Sequence, residues 1–252
     1  MIRFDHVRKC YAGRPVLDDV SLAIAPGEFV ALVGQSGAGK TTLLKAVNRL
    51  VAIDDGTIMV DGEDVLAQPL VALRRRIGYV FQGIGLFPHM SVAENVWLPS
   101  RLQGQPASER AARVAELLAL VSLPADFAAR YPAQLSGGQA QRVGFARALA
   151  AGPSIMLMDE PFGALDPATR SELGEAYRAL HDRMGLTSLL VTHDMGEALL
   201  LADRVIVIGE GRVLADMPPQ RLIRETADPR IEAMLAPVRT ASARLDALAR
   251  AG

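Results

Sequence analysis

The sequence is poor in several features that would assign a protein to a class. Among its 252 residues it has one cysteine, Cys10, so an internal disulfide is impossible and a reducing cytosol is the expected setting. Its 27 basic and 28 acidic residues give a formal net charge of −1, and no long basic run is present. Binding to a nucleic-acid backbone requires concentrated positive charge, so we expect no nucleic-acid partner.

Long hydrophobic runs are also missing. No apolar stretch approaches the roughly 18 residues that a membrane-spanning helix needs, because Pro26, Gly27 and Glu28 interrupt one candidate and Asp203 and Arg204 another. The first residues hold no apolar segment of signal-peptide length. If the protein works at a membrane, we expect another chain to hold it there.

The apolar pattern predicts an α/β fold. Half of the residues are hydrophobic, which is enough for one large domain or a domain with an inserted lobe. Residues 1–27 alternate apolar and polar positions between turns, as short antiparallel strands do. Further strands are predicted at residues 29–33, 56–60, 77–81, 155–158, 188–191, 205–208 and 213–215. Helices are predicted at residues 40–50 and 168–184 and in the tail from residue 218.

Residues 83–152 break this pattern. They lack strand alternation, and residues 108–120 have apolar spacing close to that of a helix. We therefore expect a helical subdomain inserted into a mixed sheet, whose N-terminal strands are antiparallel. The loop of residues 83–95, GIGLFPHMSVAEN, is rich in apolar residues, which belong either to the core or to an exposed docking surface.

Residues 34–41 have the sequence GQSGAGKT, which fills every position of the phosphate-loop pattern G-x-x-x-x-G-K-[ST]. Glycines let the backbone approach phosphate oxygens, Lys40 supplies positive charge, and the Thr41 hydroxyl reaches Mg²⁺. The alternative is that these residues form only a tight turn. That explains three glycines poorly, because each glycine lowers stability by roughly 0.5–1 kcal/mol relative to alanine inside regular structure. We predict a nucleoside triphosphate site at Gly34, Gln35, Ser36, Gly37, Ala38, Gly39, Lys40, Thr41 and Thr42.

Two further segments fit such a site. The strand of residues 77–81 closes on Gln82, a candidate for contact with Mg²⁺ or water, although a lone glutamine is usually a surface residue. The LSGGQ sequence of residues 135–139 precedes a strongly helical stretch. Helix N-termini attract anions, so this segment predicts a second anion site, formed by Ser136, Gly137, Gly138 and Gln139.

Acidic residues and a histidine end two other strands. Asp159 and Glu160 follow the run of residues 155–158. Adjacent strand residues point to opposite sides, so Asp159 fits a Mg²⁺ ligand while Glu160 fits a base or water-positioning group. A plain charged turn is the alternative. His193 is the one histidine of four that ends a strand, where a contact with a γ-phosphate is feasible.

These motifs occur in the order GQSGAGKT, Gln82, LSGGQ, IMLMDE, ALD and His193, and over residues 1–235 this order closely resembles the ATP-binding subunit of ABC transporters. The resemblance implies a P-loop NTPase of ABC type that binds ATP and Mg²⁺. It implies that Tyr11, which alone would more often be a packing residue, stacks on adenine. It also implies that Glu160 is the catalytic base and His193 the switch histidine.

The same resemblance implies an assembly. Two copies would pack head to tail, so that Lys40 of one chain and Ser136 of the other enclose one ATP. The domain would occupy residues 1–236, with the helical subdomain at about 83–152 and a tail at 237–252. A permease in the membrane would dock near residues 85–90, a substrate-binding protein would act indirectly, and the chain would lie at the cytoplasmic face.

A narrower resemblance concerns the transported solute. The segments VNRLV, LRRRIGYVFQGIGLFPHMSVAENV and EPFGALDP are similar to those of importers for glycine betaine, choline and related quaternary amines. Many of these ATPases carry C-terminal CBS modules, for which the residues after Leu235 are too few. An importer of amino acids or another small solute is the second interpretation. A soluble ATPase of ABC type and a non-hydrolysing nucleotide switch also stay open.

Overall fold

Two β-sheets carry the fold in the computed structural model, which describes residues 2–83, 85–163 and 165–250. Ile84, in the apolar loop, and Ala164, in the ALD motif, lie outside the described residues. The strands of the described residues are β1 (Ile2–Tyr11), β2 (Arg14–Ile24), β3 (Phe29–Val33), β4 (Asp55–Val60), β5 (Glu63–Asp64), β6 (Ile77–Val80), β7 (Ile155–Asp159), β8 (Thr187–Val191), β9 (Arg204–Gly209) and β10 (Arg212–Met217).

Nine α-helices complete the described part of the chain. They are α1 (Lys40–Val47), α2 (Leu70–Arg75), α3 (Val92–Leu102), α4 (Arg110–Leu120), α5 (Gly137–Leu149), α6 (Pro167–Met184), α7 (Met195–Leu201), α8 (Pro219–Glu225) and α9 (Pro229–Arg250). The first helix ends three residues before the predicted end, because Asn48 leaves the helical conformation and Arg49 has a φ of 56°.

The sheet topology confirms the predicted fold class. The first sheet has the strand order β2-β1-β4-β5 and is antiparallel. The second has the order β10-β9-β3-β8-β7-β6; its strands are parallel except for β10, which forms an antiparallel hairpin with β9. The N-terminal strands are two long partners rather than several short ones, and their pairing is interrupted by register shifts.

The parallel part of the second sheet is buried on both faces. Alternate residues of β3 belong to different hydrophobic clusters: Phe29, Ala31 and Val33 to one, Val30 and Leu32 to the other. The antiparallel sheet and α1 supply the second cluster, whereas α3 to α9 supply the first. Parallel strands covered on both sides need continuous apolar runs, which is why β3, β7 and β8 were visible in the sequence.

The segment between β6 and β7 is largely helical where it is described, as the predicted fold class requires, whereas the bounds of 83–152 stay a prediction. Its helices α3, α4 and α5 pack on one another around Val96, Leu118 and Phe145, which are fully buried. Ser91 caps α3 through a capping box with Glu94. The chain enters the subdomain from the end of β6, where Val80 pairs with Met158 of the parallel strand β7, so the subdomain begins beside the strand end that carries Asp159 and Glu160.

The last helix runs across the predicted boundary at residue 236. Ile231 and Leu235 are 1% exposed and pack on the main core, so the first half of α9 belongs to it. The division into 1–236 and 237–252 stays a prediction. None of the helices in the described residues is long and apolar enough to cross a membrane.

A polar chain is buried behind β3. The hydroxyl of Tyr177 bonds to that of Ser188, whose Oγ lies 2.8 Å from Nδ1 of His181, and Nε2 of His181 lies 3.2 Å from the carbonyl of Gly27. A carbonyl only accepts, so Nε2 carries the proton and Nδ1 accepts from Ser188. Burial, followed by the nearby Arg178, lowers the pKa of His181. The native state therefore holds this imidazole neutral.

His181 makes the stability of the fold pH-dependent. The unfolded histidine takes up a proton below a pH of about 6.5, whereas the native one resists protonation, so the free energy of unfolding should fall as the pH is lowered through about 6.5. Urea unfolding at a series of pH values measures this slope. The slope should become shallower in His181→Gln and stay unchanged in His89→Gln, since His89 is exposed. Equal slopes in wild type and His181→Gln would contradict the assignment.

Candidate functional site

Residues 34–41, called the phosphate loop here, connect β3 to α1. Gly37 and Gly39 have φ values of 81° and 99°, a region that side chains rarely adopt. A Cβ on Gly39 would lie 2.4 Å from the carbonyl oxygen of Val16 on β2. Strand β2 of the antiparallel sheet thus lies directly against the loop at the start of α1, so only glycine fits at position 39.

Lys40 lies inside the phosphate loop. Its side chain is almost fully buried, and Nζ donates to the carbonyl oxygens of Gly34 at 2.7 Å and Gln35 at 2.9 Å. Burial lowers the pKa of Lys40, while the charges of Glu160 and Asp159 act in the opposite direction. The ammonium group is therefore fixed at the centre of the loop by two backbone carbonyls.

Asp159 and Thr41 form a pair of oxygen ligands. Asp159 ends β7 with a side chain that is 1% exposed, and its Oδ1 accepts from the Thr41 hydroxyl at 2.8 Å. Nζ of Lys45 lies 3.7 Å from Oδ2. Mg²⁺ is usually held by one or two carboxylates together with hydroxyls, waters and phosphate oxygens, so this pair suits the ion. The described residues contain no group of three or more acidic, histidine or cysteine ligands.

Glu160 leaves the strand in a different direction. Its φ is 47°, the left-handed region, and its backbone N–H still donates to the carbonyl of Val191 at 2.9 Å. The side chain is 25% exposed, in contrast to Asp159. The two adjacent acids point away from each other, as predicted, so one faces α1 and the other faces the open edge of the sheet.

Gln82 and His193 meet at Glu160. Nε2 of Gln82 donates to Oε2 of Glu160 at 3.2 Å, and Nδ1 of His193 lies 3.4 Å from Oε1. Three strand ends, those of β6, β7 and β8, therefore deliver one polar side chain each to the same place. A contact of Gln82 with a metal ion stays a prediction, since its observed partner is Glu160.

The remaining predicted residues lie apart from this cluster. Tyr11 ends β1, is 47% exposed and has Nζ of Lys9 at 5.2 Å from its ring centroid. Ser136 caps α5: its Oγ accepts from the N–H of Gln139 at 3.2 Å, and Oε1 of Gln139 accepts from the N–H of Ser136 at 3.0 Å. In the described ranges no hydrogen bond joins Tyr11 or the LSGGQ segment to the phosphate loop.

Three further residues matter that the sequence analysis did not single out. Lys45 follows Thr41 by one helical turn, and this spacing on a predicted helix could have identified it as a neighbour of Thr41. Gln141 and Arg147, both in α5, donate to the carbonyls of Pro161 at 2.8 Å and Gly85 at 2.7 Å. They tie α5 to the loops that follow Glu160 and Gln82. Those partners are distant in sequence, so no local pattern could have revealed them.

Comparison with known proteins agrees with the family that the sequence motifs resemble. The family model described as ABC transporter matches residues 17–163. The chain is 44% identical over 247 residues to the carnitine transport ATP-binding protein OpuCA of Listeria monocytogenes, an alignment that covers 98% of this chain and 62% of that protein. It is 46% identical over 228 residues to the glycine betaine uptake system ATP-binding protein YehX of Escherichia coli, covering 90% and 74%. The chain spans about three fifths of the length of the first of these relatives.

A solved structure has a similar fold over most of the chain. The dimeric post-hydrolysis state of the ATP-binding cassette MJ0796, bound to ADP and Pi, superposes with a TM-score of 0.81 and 35% sequence identity. The superposition covers 87% of this chain and 99% of that one.

Proposed function

The chain belongs to the ABC transporter family, and on that premise we propose that it is the ATP-hydrolysing subunit of an ABC importer. The observation that carries the proposal is the convergence of Gln82 and His193 on Glu160, next to the buried pair of Asp159 and Thr41. Lys40 lies inside the phosphate loop, where the negative charges of Glu160 and Asp159 favour its charged form. Phosphoryl transfer needs positioning and charge neutralisation more than covalent chemistry, and these side chains provide both.

Each of these residues has a role in the proposed hydrolysis. Backbone N–H groups of the phosphate loop and Lys40 bind the phosphates, and Lys40 exchanges its carbonyl partners for phosphate oxygens. Thr41 and Asp159 would hold Mg²⁺, with Gln82 as a further candidate contact, and the ion would neutralise phosphate charge when bound. Glu160 accepts a proton from water as the water oxygen bonds to the γ-phosphorus and the bond to the β-phosphate oxygen breaks. His193 orients the Glu160 carboxylate.

The proposed active assembly is a dimer. Ser136 is exposed, and its Oγ accepts one hydrogen bond within the capping box, which leaves the hydroxyl hydrogen available for donation to a phosphate. The N-terminal end of α5 adds a favourable dipole for an anion. Within one chain this cap does not reach the phosphate loop, so a second copy in head-to-tail orientation supplies it. Tyr11 stacks on the adenine.

The permease partner docks on the groove between the sheet and the helical subdomain. A cavity of about 330 Å³ lies there, lined by residues of α2, β6 and the ends of α3 and α5. Val71 and Leu102 line it and are 62% and 61% exposed, and Phe87 of the loop after Gln82 is 42% exposed. Exposed apolar side chains of this size favour a protein partner. The chain would thereby be held at the cytoplasmic face of the membrane.

The proposed solute is a quaternary amine such as glycine betaine, choline or carnitine. The support comes from the relatives, whose names specify uptake of carnitine and glycine betaine. A binding protein with an aromatic cage would select such a cation before the permease receives it.

Glu160→Gln tests the hydrolysis step. The amide keeps the size of the side chain but cannot accept the proton, so we expect kcat to fall at least about 100-fold while ATP binding persists. Phosphate release and binding of ATP with Mg²⁺ are the measurements. Glu116→Gln, on the exposed face of α4, is the control and should hydrolyse normally. Near-normal turnover in Glu160→Gln would remove Glu160 from the mechanism.

Ser136→Ala tests the dimer, and Ser91→Ala is its matched control. Both serines cap a helix through the same reciprocal pair of bonds, so both substitutions should cost about 1 kcal/mol of stability. Only Ser136→Ala should weaken ATP-dependent dimerisation, which sedimentation can measure in the Glu160→Gln background. Equal dimerisation in the two variants would exclude Ser136 from the nucleotide site.

Leu102→Asp tests the permease groove and the solute together. In vesicles that contain the chain with its proposed permease and binding protein, we expect ATP-dependent uptake of glycine betaine or choline. A charge in the groove should abolish this uptake without slowing hydrolysis by the isolated chain. Leu248→Asp, at a site on α9 that is 72% exposed, should leave uptake intact. Uptake of an amino acid in place of the quaternary amines would support the second interpretation instead.

A further inference from the structure

Arg170, near the start of α6, contacts two turns that are distant from each other in the sequence. Its Nη2 donates to the carbonyl oxygen of Leu165 at 3.1 Å, in the turn before α6. Its Nη1 donates to Oδ2 of Asp194 at 3.3 Å, in the turn between β8 and α7. The arginine side chain is 31% exposed, so water screens these contacts only in part. Arg170 therefore joins Leu165 of the ALD motif to the turn that carries His193.

The turn of residues 192–194 is itself held by side chains. The hydroxyl of Thr192 donates to Oε2 of Glu197 at 2.7 Å and accepts from the N–H of Asp194 at 3.0 Å. Oδ1 of Asp194 accepts from the N–H of Gly196 at 2.8 Å and caps α7. Nε of Arg170 lies 3.6 Å from Oε1 of Glu197. Both neighbours of position 193 thus belong to one polar cluster, which includes Arg170.

The charge of Arg170 is needed in this cluster. Glu197 has a side chain that is 10% exposed, and burial raises its pKa, whereas Thr192 and Arg170 lower it. Within residues 2–83, 85–163 and 165–250, Arg170 is the cation in direct contact with both Asp194 and Glu197. Without Arg170 the two carboxylates would keep their hydrogen bonds to Thr192 and Gly196 but lose this contacting cation, and like charges at close range repel.

His193 depends on this support. Its side chain is 67% exposed, so few packed neighbours hold it, and its position follows from the backbone on either side. We propose that Arg170 is a positioning residue for hydrolysis, which fixes the turn of residues 192–194 so that His193 stays in contact with Glu160. The inference rests on the proposed function, but it assigns a role to a residue outside the nucleotide motifs.

Arg170→Met tests the proposal, with Arg178→Met as matched control. Arg178 lies two turns along the same helix, is 28% exposed, and likewise donates to a carbonyl, that of Leu201, and to acidic side chains. Both substitutions should lower the melting temperature. Only Arg170→Met should lower kcat, on the order of 10- to 100-fold, with KM for ATP unchanged because the phosphate loop is untouched. Arg170→Lys should recover part of kcat, since it keeps the charge but not both hydrogen bonds.

A double variant separates positioning from general destabilisation. If Arg170 acts through His193, adding Arg170→Met to His193→Ala should cause no further loss of kcat. An undiminished loss in that background, or equal kcat in wild type and Arg170→Met, would overturn the proposal.

The imidazole NMR signals of His193 should shift in Arg170→Met and stay in place in Arg178→Met. Unshifted signals in Arg170→Met would also overturn it. This readout works without turnover, whereas absence of hydrolysis by the wild type would refute the proposed function itself.

Discussion

The conformation of Glu160 is the constraint on which the rest of the site depends. Two acids that follow each other in a strand are separated by the pleat, and at Glu160 a left-handed φ turns the chain out of β7 as well. A residue with a side chain pays about 1–2 kcal/mol for this conformation, and the bond from its N–H to Val191 holds it there. As a result, Asp159 stays buried against α1 while Glu160 is available to Gln82 and His193. One carboxylate is thus buried beside a hydroxyl, and the other is reached from two neighbouring strand ends.

The site is assembled by connections between loops rather than by the strands alone. The sheet brings the ends of β6, β7 and β8 together, but the segments that follow are long enough to move. Helix α5 ties two of them down through Gln141 and Arg147, and α6 ties the third through Arg170. Because Ser136 caps α5, the capping segment and the loop of Gln82 are attached to one helix. A displacement at the groove proposed for the permease would therefore have a short physical route to both.

Much of this arrangement follows from local sequence. The largely apolar runs of β3, β7 and β8 predicted buried strands, and the loss of alternation after Gln82 predicted the helical subdomain. Asp159 and Glu160 could be assigned different environments because the strand period is two. The sequence did not predict that Gln82 contacts Glu160 rather than Asp159, since that depends on the twist of the sheet and on where α5 holds the loop.

By itself, the sequence determined the elements with local causes: the glycine turn before Lys40, the helix caps at Ser91 and Ser136, and the hydrophobic runs of the sheet. Backbone sterics, capping bonds and the periodicities of strands and helices act over a few residues, so they can be read from a short stretch. The tertiary structure alone decided the partners of Arg147, Arg170 and His181. Their contacts join segments that only the packed core brings into reach, and charge and burial at those points are properties of the whole fold.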